Sequence, residues 1–242
     1  MKRRRRAPRA TLRGWFGWLL VAALGLQLVF AVRVAAMAVI DPASTAFERS
    51  AWWAGPDTAT PRPWAQAWVD ERAITPHLKR AVVAAEDSGF FTHGGVAWDA
   101  IQNAWLRNWH GPTGAGQPRL VGGSTITQQL AKNLFLTGER SYARKAQELL
   151  IAWMLEGLLS KQRILTVYLN HVELGRGVYG VQSASRRYFG HDARGLTARQ
   201  AAQLAVMLPR PRYFESRMNT RYMARRTAVI QRRMAMIALP SP

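Results

Sequence analysis

The sequence contains no cysteine. Disulfides, thiolate zinc sites and cysteine nucleophiles are therefore excluded, while the compartment is left open, an oxidising one included. Acidic residues are scarce: 14 Asp and Glu stand against 34 Lys and Arg, a net charge of +20 in 242 residues. Such a chain attracts anions, and nucleic acid, acidic lipid and phosphorylated substrates all qualify. Alternating apolar stretches of strand length are few and capped helical patterns are many, so the expected fold is mainly α. The length holds one domain of ordinary size plus an anchor or tail, and leaves no room for a second large catalytic domain. Long apolar runs are lacking too, with one exception.

That exception follows a basic tail, residues 1–13, which carries seven Lys and Arg and no acid. Gly14 to Val32 is uncharged, and 19 helical residues at ~1.5 Å each span ~28 Å, close to the hydrocarbon thickness of a bilayer. Residues 14–40 are expected to form a single transmembrane anchor with the tail cytoplasmic and everything after about residue 41 outside. Trp15 and Trp18 suit the interfacial belt, and Arg33 can snorkel outward. Ala36-Met37-Ala38 resembles a signal cleavage site, but the apolar run is longer than a usual signal peptide's. A nucleic-acid tail would not require so abrupt a junction with a membrane-length segment. Residues 41–70 read as a juxtamembrane connector whose Trp52, Trp53, Trp64 and Trp68 either stay at the bilayer surface or cap the core. The folded domain is expected over 71–242.

Thr75-Pro76 is an N-cap followed by Pro at N1, and it starts a helix that runs into AVVAAEDSGFFTHGG, residues 81–95. Glu86 and Asp87 arrive at the helix's last turn, ahead of Phe90, Phe91 and His93. Carboxylates are unfavourable near the negative end of a helix dipole and beside apolar surface, which makes Glu86 a candidate for a raised pKa and general-base work. Taken alone, the pair reads more simply as solvated acids beside a helix stop. Trp98 to Trp109 has helical spacing, and Gly111 to Pro118 has the turn chemistry of a loop, bounded by Arg107 and Arg119.

Gly122 to Leu136, GGSTITQQLAKNLFL, predicts a two-faced helix. Ile126, Leu130 and Leu134 form a stripe to bury, and Ser124, Gln128 and Lys132 form a polar stripe to read a ligand. Gly122 and Gly123 allow close backbone approach at the helix N-terminus, where Ser124 and Thr125 add hydroxyls suited to phosphate or sugar. Gln128-Gln129 adds amides that a solvated face does not require. Ser141 to Glu156 predicts an N-capped helix with Arg144, Lys145 and Glu148 on one face and Leu149, Leu150 and Trp153 on another. On the residues alone, Arg144 and Glu148 make an ordinary i,i+4 ion pair worth ~0.3–0.5 kcal/mol. Ser160 caps KQRILTVYLN, residues 161–170, which ends with Tyr168 and Asn170. Gly175, Gly177 and Gly180 spell G-x-G-x-x-G, but a helical pattern precedes them where a dinucleotide site needs a strand. Thr197 to Leu208 is another capped helix stopped by Pro209 and Pro211. Tyr222 to Ile237 is a basic amphipathic helix, with Arg225, Arg226, Arg232 and Arg233, whose face suits solvent or anionic lipid.

Taken in order, these segments resemble the five signature motifs of the bacterial peptidoglycan glycosyltransferases, from about Pro76 to Tyr213. The short chain, the anchor and the lack of an S-x-x-K motif resemble the monofunctional members, which have no transpeptidase domain. The resemblance implies a lysozyme-like α architecture of two lobes around a cleft. It also implies polymerisation of lipid II into β-1,4-linked glycan strands with release of undecaprenyl pyrophosphate, on the periplasmic side of a bacterial inner membrane. Glu86 is the implied base and Glu148 the second catalytic carboxylate, while Lys132, Arg144 and Lys145 hold the pyrophosphate. Asp87, Phe90, His93, Gly123, Ser124, Thr125, Gln128, Gln129 and Asn170 complete the implied substrate-binding set. A divalent cation, magnesium or manganese, is allowed at the pyrophosphate with Glu148, and no cofactor is required for certain. Lipid II, the growing chain, membrane lipid and other wall-synthesis proteins are the partners implied, not nucleic acid. Ala97, Thr166 and Gln200 depart from the family pattern, where acidic residues are usual.

Overall fold

The computed structural model describes residues 12–53, 65–98, 124–139 and 141–240. Trp64, most of the Trp98–Trp109 segment, the Gly111–Pro118 loop, Gly122 and Gly123 lie outside them. The N-terminal helix, α1 (Leu12–Ala36), contains a stretch, Trp15–Ala36, long and apolar enough to cross a membrane. Most of that stretch is exposed, but Val34 and Met37 are buried and Gln27 and Phe30 are partly so. These four recur at i, i+3, i+7 and i+10, one helical face. Gln27 exchanges two amide hydrogen bonds with Gln147, at 2.8 and 3.0 Å, and Phe30 meets Phe135 edge to face with centroids 5.4 Å apart.

The connector is built into the domain. Its helix α2 (Ala46–Trp53) begins on a reciprocal cap, in which Thr45 Oγ1 accepts the Glu48 N–H and Glu48 Oε2 accepts the Thr45 N–H. Glu48 Oε1 meets His171 Nδ1 at 2.9 Å, and His171 Nε2 meets the Pro42 carbonyl at 3.0 Å, with both side chains buried. Trp52 and Trp53 are exposed, whereas Trp68 lies against the core beside His171 and under the Arg163 guanidinium.

The domain is mainly helical, as its caps lead one to expect. α3 (Pro76–Glu86), α4 (Ile126–Phe135), α5 (Tyr142–Leu158), α6 (Lys161–His171) and α8 (Ala198–Met207) each start on a Ser or Thr whose hydroxyl accepts a first-turn N–H. α10 (Arg221–Met234) starts in the same way on Thr220, and the other helices among the described residues include α7 (Val181–Phe189) and α9 (Pro211–Phe214). One group packs α3, α8 and α10 together; another packs α4 against α5, α6 and α2. Ile126, Leu130 and Leu134 of α4 are buried as their spacing predicts. α5 differs from its sequence reading: it buries Ile151, Ala152 and Leu155 beside Glu148, and leaves Leu150 and Trp153 exposed.

A small sheet has strand order β1-β3-β2, with β1 (Ala65–Gln66) parallel to β3 (Val178–Tyr179) and β2 (Glu173–Gly175) antiparallel to it. The G-x-G-x-x-G lies in this hairpin after a helix, so it is no dinucleotide site. Gly180 has φ +76°, and a Cβ there would stand 2.4 Å from the Asn170 carbonyl oxygen.

Candidate active site

Glu86 ends α3, and its carboxylate is held from α4: Gln129 Nε2 donates to Glu86 Oε2 at 2.8 Å. Gln129 Oε1 in turn accepts the Tyr168 hydroxyl at 2.9 Å. Burial, and then the charges of Glu86 and Asp87, push the Tyr168 hydroxyl well above the phenol range, so it stays a donor. Burial also raises the Glu86 pKa; the Gln129 hydrogen bond works against that rise, and Asp87 adds to it. Glu86 is thus a stronger base than an exposed carboxylate, fixed at one oxygen.

Asp87 is not a solvated acid: it is 8% exposed. Its Oδ2 accepts the Ile126 N–H at 3.1 Å, one of the unpaired first-turn donors of α4. His93 Nε2 stands 2.8 and 3.0 Å from its two oxygens. His93 Nδ1 accepts the Gly95 N–H at 3.1 Å, which places the ring proton on Nε2, toward Asp87. Phe90 is fully buried beneath the Lys161 ammonium, 4.6 Å from the ring centroid. These three residues brace the loop after Glu86.

The polar stripe expected on α4 divides. Thr125 and Gln128 form a capping box, so Gln128, 3% exposed, turns its amide oxygen to the helix's own N-terminus. Thr125 Oγ1 also donates to the Gly95 carbonyl at 2.6 Å. Gln129 alone of the amide pair reaches Glu86. Ser124 and Lys132 instead join a cluster on α5, where Glu148, 3% exposed, takes Arg144 Nη1 on Oε2 at 2.7 Å and Lys145 Nζ on Oε1. Lys145 also donates to Ser124 Oγ at 3.3 Å. Burial lowers the Lys132 pKa, Glu148 opposes the fall, and Arg144 and Lys145 add to it. Three cations thus share one carboxylate, an excess of positive charge suited to an anion. Among the described residues, Arg144 Nε is buried without a hydrogen-bond partner, a further donor for such an anion.

Asn170 is not brought to this cluster. It is fully buried and pins the connector, accepting the Val69 N–H at 2.8 Å and donating to the Val69 and Thr166 carbonyls, each at 2.9 Å. Gly123 lies outside the described residues. Two of the three departures from the acidic pattern have local partners: Thr166 Oγ1 donates to the Gln162 carbonyl, and Gln200 closes the capping box of α8. Sequence reasoning missed Tyr168 as the orienting hydroxyl. It also missed Glu156, which accepts Thr127 Oγ1 at 2.5 Å and pairs with Lys161 at 2.8 Å, while Lys161 donates to the His93 carbonyl at 2.6 Å. The T-x-x-Q spacing of Thr125 and Gln128 was a readable capping signal.

The Transglycosylase family model matches residues 58–235. The chain belongs to this family. It is 47% identical over 245 residues to the biosynthetic peptidoglycan transglycosylase of Burkholderia thailandensis, covering 98% of this chain and 93% of the relative. It is 49% identical over 219 residues to that of Burkholderia multivorans and 50% over 222 residues to that of Burkholderia ambifaria, each covering 90% of this chain and 86% of the relative. The protein is therefore a transglycosylase of peptidoglycan biosynthesis. The site brings together two centres of opposite charge, the carboxylate of Glu86 held by Gln129 and the cation cluster around Glu148.

Proposed function

We propose that this transglycosylase polymerises lipid II into linear β-1,4 glycan strands and has no transpeptidase activity. It is held by α1 in a bacterial inner membrane with the basic tail cytoplasmic and the catalytic domain periplasmic. The observation that carries the reading is on α4: Gln129 holds Glu86, and Lys132, one turn on, shares the electrostatic field of Arg144, Lys145 and Glu148. Residues three apart on a helix are neighbours, ~5–6 Å between Cβ atoms. One helix, α4, thereby touches both the proposed base on α3, through Gln129, and the proposed anion holder on α5, through Lys132.

Glu86 takes the proton of the acceptor GlcNAc 4-hydroxyl as that oxygen attacks C1 of the MurNAc ending the donor chain. The bond from C1 to the pyrophosphate breaks, and undecaprenyl pyrophosphate leaves. Lys132, Arg144 and Lys145 offset the charge that develops on it, with Glu148 holding the two α5 cations in place. Both Glu148 oxygens already carry a cation, and no group of three or more His, Asp or Glu stands together among the described residues. That donor set does not fit a protein-held divalent ion. Magnesium or manganese would enter as a companion of the pyrophosphate.

The test is purified lipid II with the full-length protein and Glu86→Gln. The expected loss of polymer is about 10²–10⁴-fold with the fold unchanged; a variant that polymerises at near the parent rate removes Glu86 from the base role. Finished glycan serves as the second substrate, and its shortening in place of polymer growth would replace the synthetic reading with a hydrolytic one.

A further inference from the structure

Glu86 is held on one side by Gln129 and Tyr168, and a cleft opens beside it toward α8, α9 and α10. The cleft measures about 780 Å³, and its lining includes Glu86, Arg210, Tyr213, Tyr222 and Arg226. Arg210 stands between Pro209 and Pro211 at the start of α9, which restricts its backbone; Tyr222 stacks on Phe214 with rings 4° from parallel, and Tyr222, Arg226 and Ile230 succeed one another at i, i+4 and i+8 on α10. Tyr213 and Tyr222 are 50% and 56% exposed; the Arg217 guanidinium covers one face of Tyr213 at 4.2 Å and Phe214 one face of Tyr222, which leaves each ring a single face on which a sugar can lie.

The charges in this cleft are not matched within it. Glu86 is its one acid against two guanidiniums, and neither arginine is among the causes of the Glu86 shift. Neither Arg210 nor Arg226 has a carboxylate partner among the described residues, in contrast to Arg144, Arg163, Arg186 and Arg212. Both arginines line the cleft and are exposed, so their guanidiniums are open to an anion that enters it. The leaving pyrophosphate is assigned to the cations on α4 and α5, the other side of Glu86. What remains for this side is the glycan, whose other anionic groups are carboxylates on its peptide branches.

We propose that Arg210 and Arg226, with the Tyr213 and Tyr222 faces, form a subsite for a carboxylate-bearing peptide branch of the glycan substrate. The proposal rests on the glycan-polymerising reading above. It makes the branch, and not only the sugar, a determinant of substrate choice, through charge-assisted hydrogen bonds that a guanidinium makes well with a carboxylate.

The test compares full-length protein and the Arg210→Gln/Arg226→Gln double variant on two lipid II preparations, one with free peptide carboxylates and one with them converted to primary amides. The parent protein is expected to show a KM about five- to tenfold higher on the amidated substrate. In the double variant that ratio falls to about one. A ratio unchanged by the double substitution overturns the proposal, as does a parent ratio of one, which assigns the arginines to phosphate or to solvent. Direct binding of a soluble disaccharide-peptide fragment, in acid and amide forms, keeps the two readings separate. If the parent makes no polymer from either substrate, the polymerase reading fails, and the fragment still decides the subsite: preference for the acid form, lost in the double variant, supports it, and equal binding overturns it.

Discussion

Gln129 presents Glu86 with an N–H and never with its carbonyl, because the Tyr168 hydroxyl holds the amide oxygen at 2.9 Å. The chain of donors runs one way, from Tyr168 through Gln129 to Glu86. Tyr168→Phe releases the amide to turn its oxygen toward Glu86, which disfavours the carboxylate. The acid limb of the pH profile of kcat/KM is expected to move upward, and the lost buried hydrogen bond costs about 1–3 kcal/mol. For a domain of this size each kcal/mol lowers Tm by about 2–4 °C. An acid limb that stays in place would show that the hydroxyl only packs.

Glu86 itself should weaken the fold at neutral pH. Its folded pKa is raised, so the protonated carboxyl is the form the fold prefers; the associated stability is present at low pH and is lost as pH rises through the folded value. Glu86→Gln, which keeps an acceptor for Gln129, is expected to raise Tm at pH 7 while removing activity. The gap from the parent should shrink as pH is lowered toward the ordinary glutamate range. Thermal melts across that range check it.

Much of this arrangement was legible in the sequence and some was not. Thr75, Ser141, Ser160 and Thr197 mark helix starts because capping is local chemistry within three residues; Thr125, read as a ligand hydroxyl, proved to be a cap of the same local kind. The position of Glu86 at a helix end is local in the same way. Which of Gln128 and Gln129 would hold a carboxylate was not legible, since neighbours on a helix point ~100° apart and the choice is made by α3. Asn170 looked like a ligand-facing amide for the same reason: its partner, the Val69 backbone, lies 101 residues away. Likewise, nothing local joins Glu48 to His171.

Lys132 is expected to set the alkaline limb. Burial lowers its pKa, so it loses its proton at a lower pH than an exposed lysine. Lys132→Arg should carry the alkaline limb of the rate profile to higher pH. The Phe47 ring lies 5.4 Å from the ammonium and favours its charged form by about 0.5–1 kcal/mol. Phe47→Leu should therefore move the limb downward by a fraction of a pH unit. Steady-state rates from pH 7 to 10 distinguish these shifts from a simple loss of enzyme.

Gly95 occupies a conformation, φ +84°, in which an added Cβ would stand 2.9 Å from Glu156 Cγ. Gly95→Ala is expected to cost about 1–3 kcal/mol. It should also loosen the His93–Asp87 contact, because the Gly95 N–H is the donor that fixes the His93 ring. Lower Tm together with lower kcat is the expected outcome, read by melting and by the lipid II assay.

Glu48→Ala leaves the buried His171 ring without its carboxylate and removes the reciprocal cap of α2. Leaving a buried ring nitrogen without its hydrogen-bond partner costs about 1–3 kcal/mol. Proteolysis of the connector ahead of the domain is the direct measure, and a connector as resistant as the parent's would mean that other contacts carry it.

The Gln27–Gln147 pair gives α1 a property that a floating tether lacks. Two reciprocal amide bonds resist rotation of the helix about its own axis, and separating them leaves both part-buried amides without those partners. A membrane-crossing α1 is therefore a keyed shaft. It fixes the bearing of the domain relative to its own N-terminal helix. An anchor of equal length and hydrophobicity without the glutamine would keep the enzyme at the membrane and let that bearing drift.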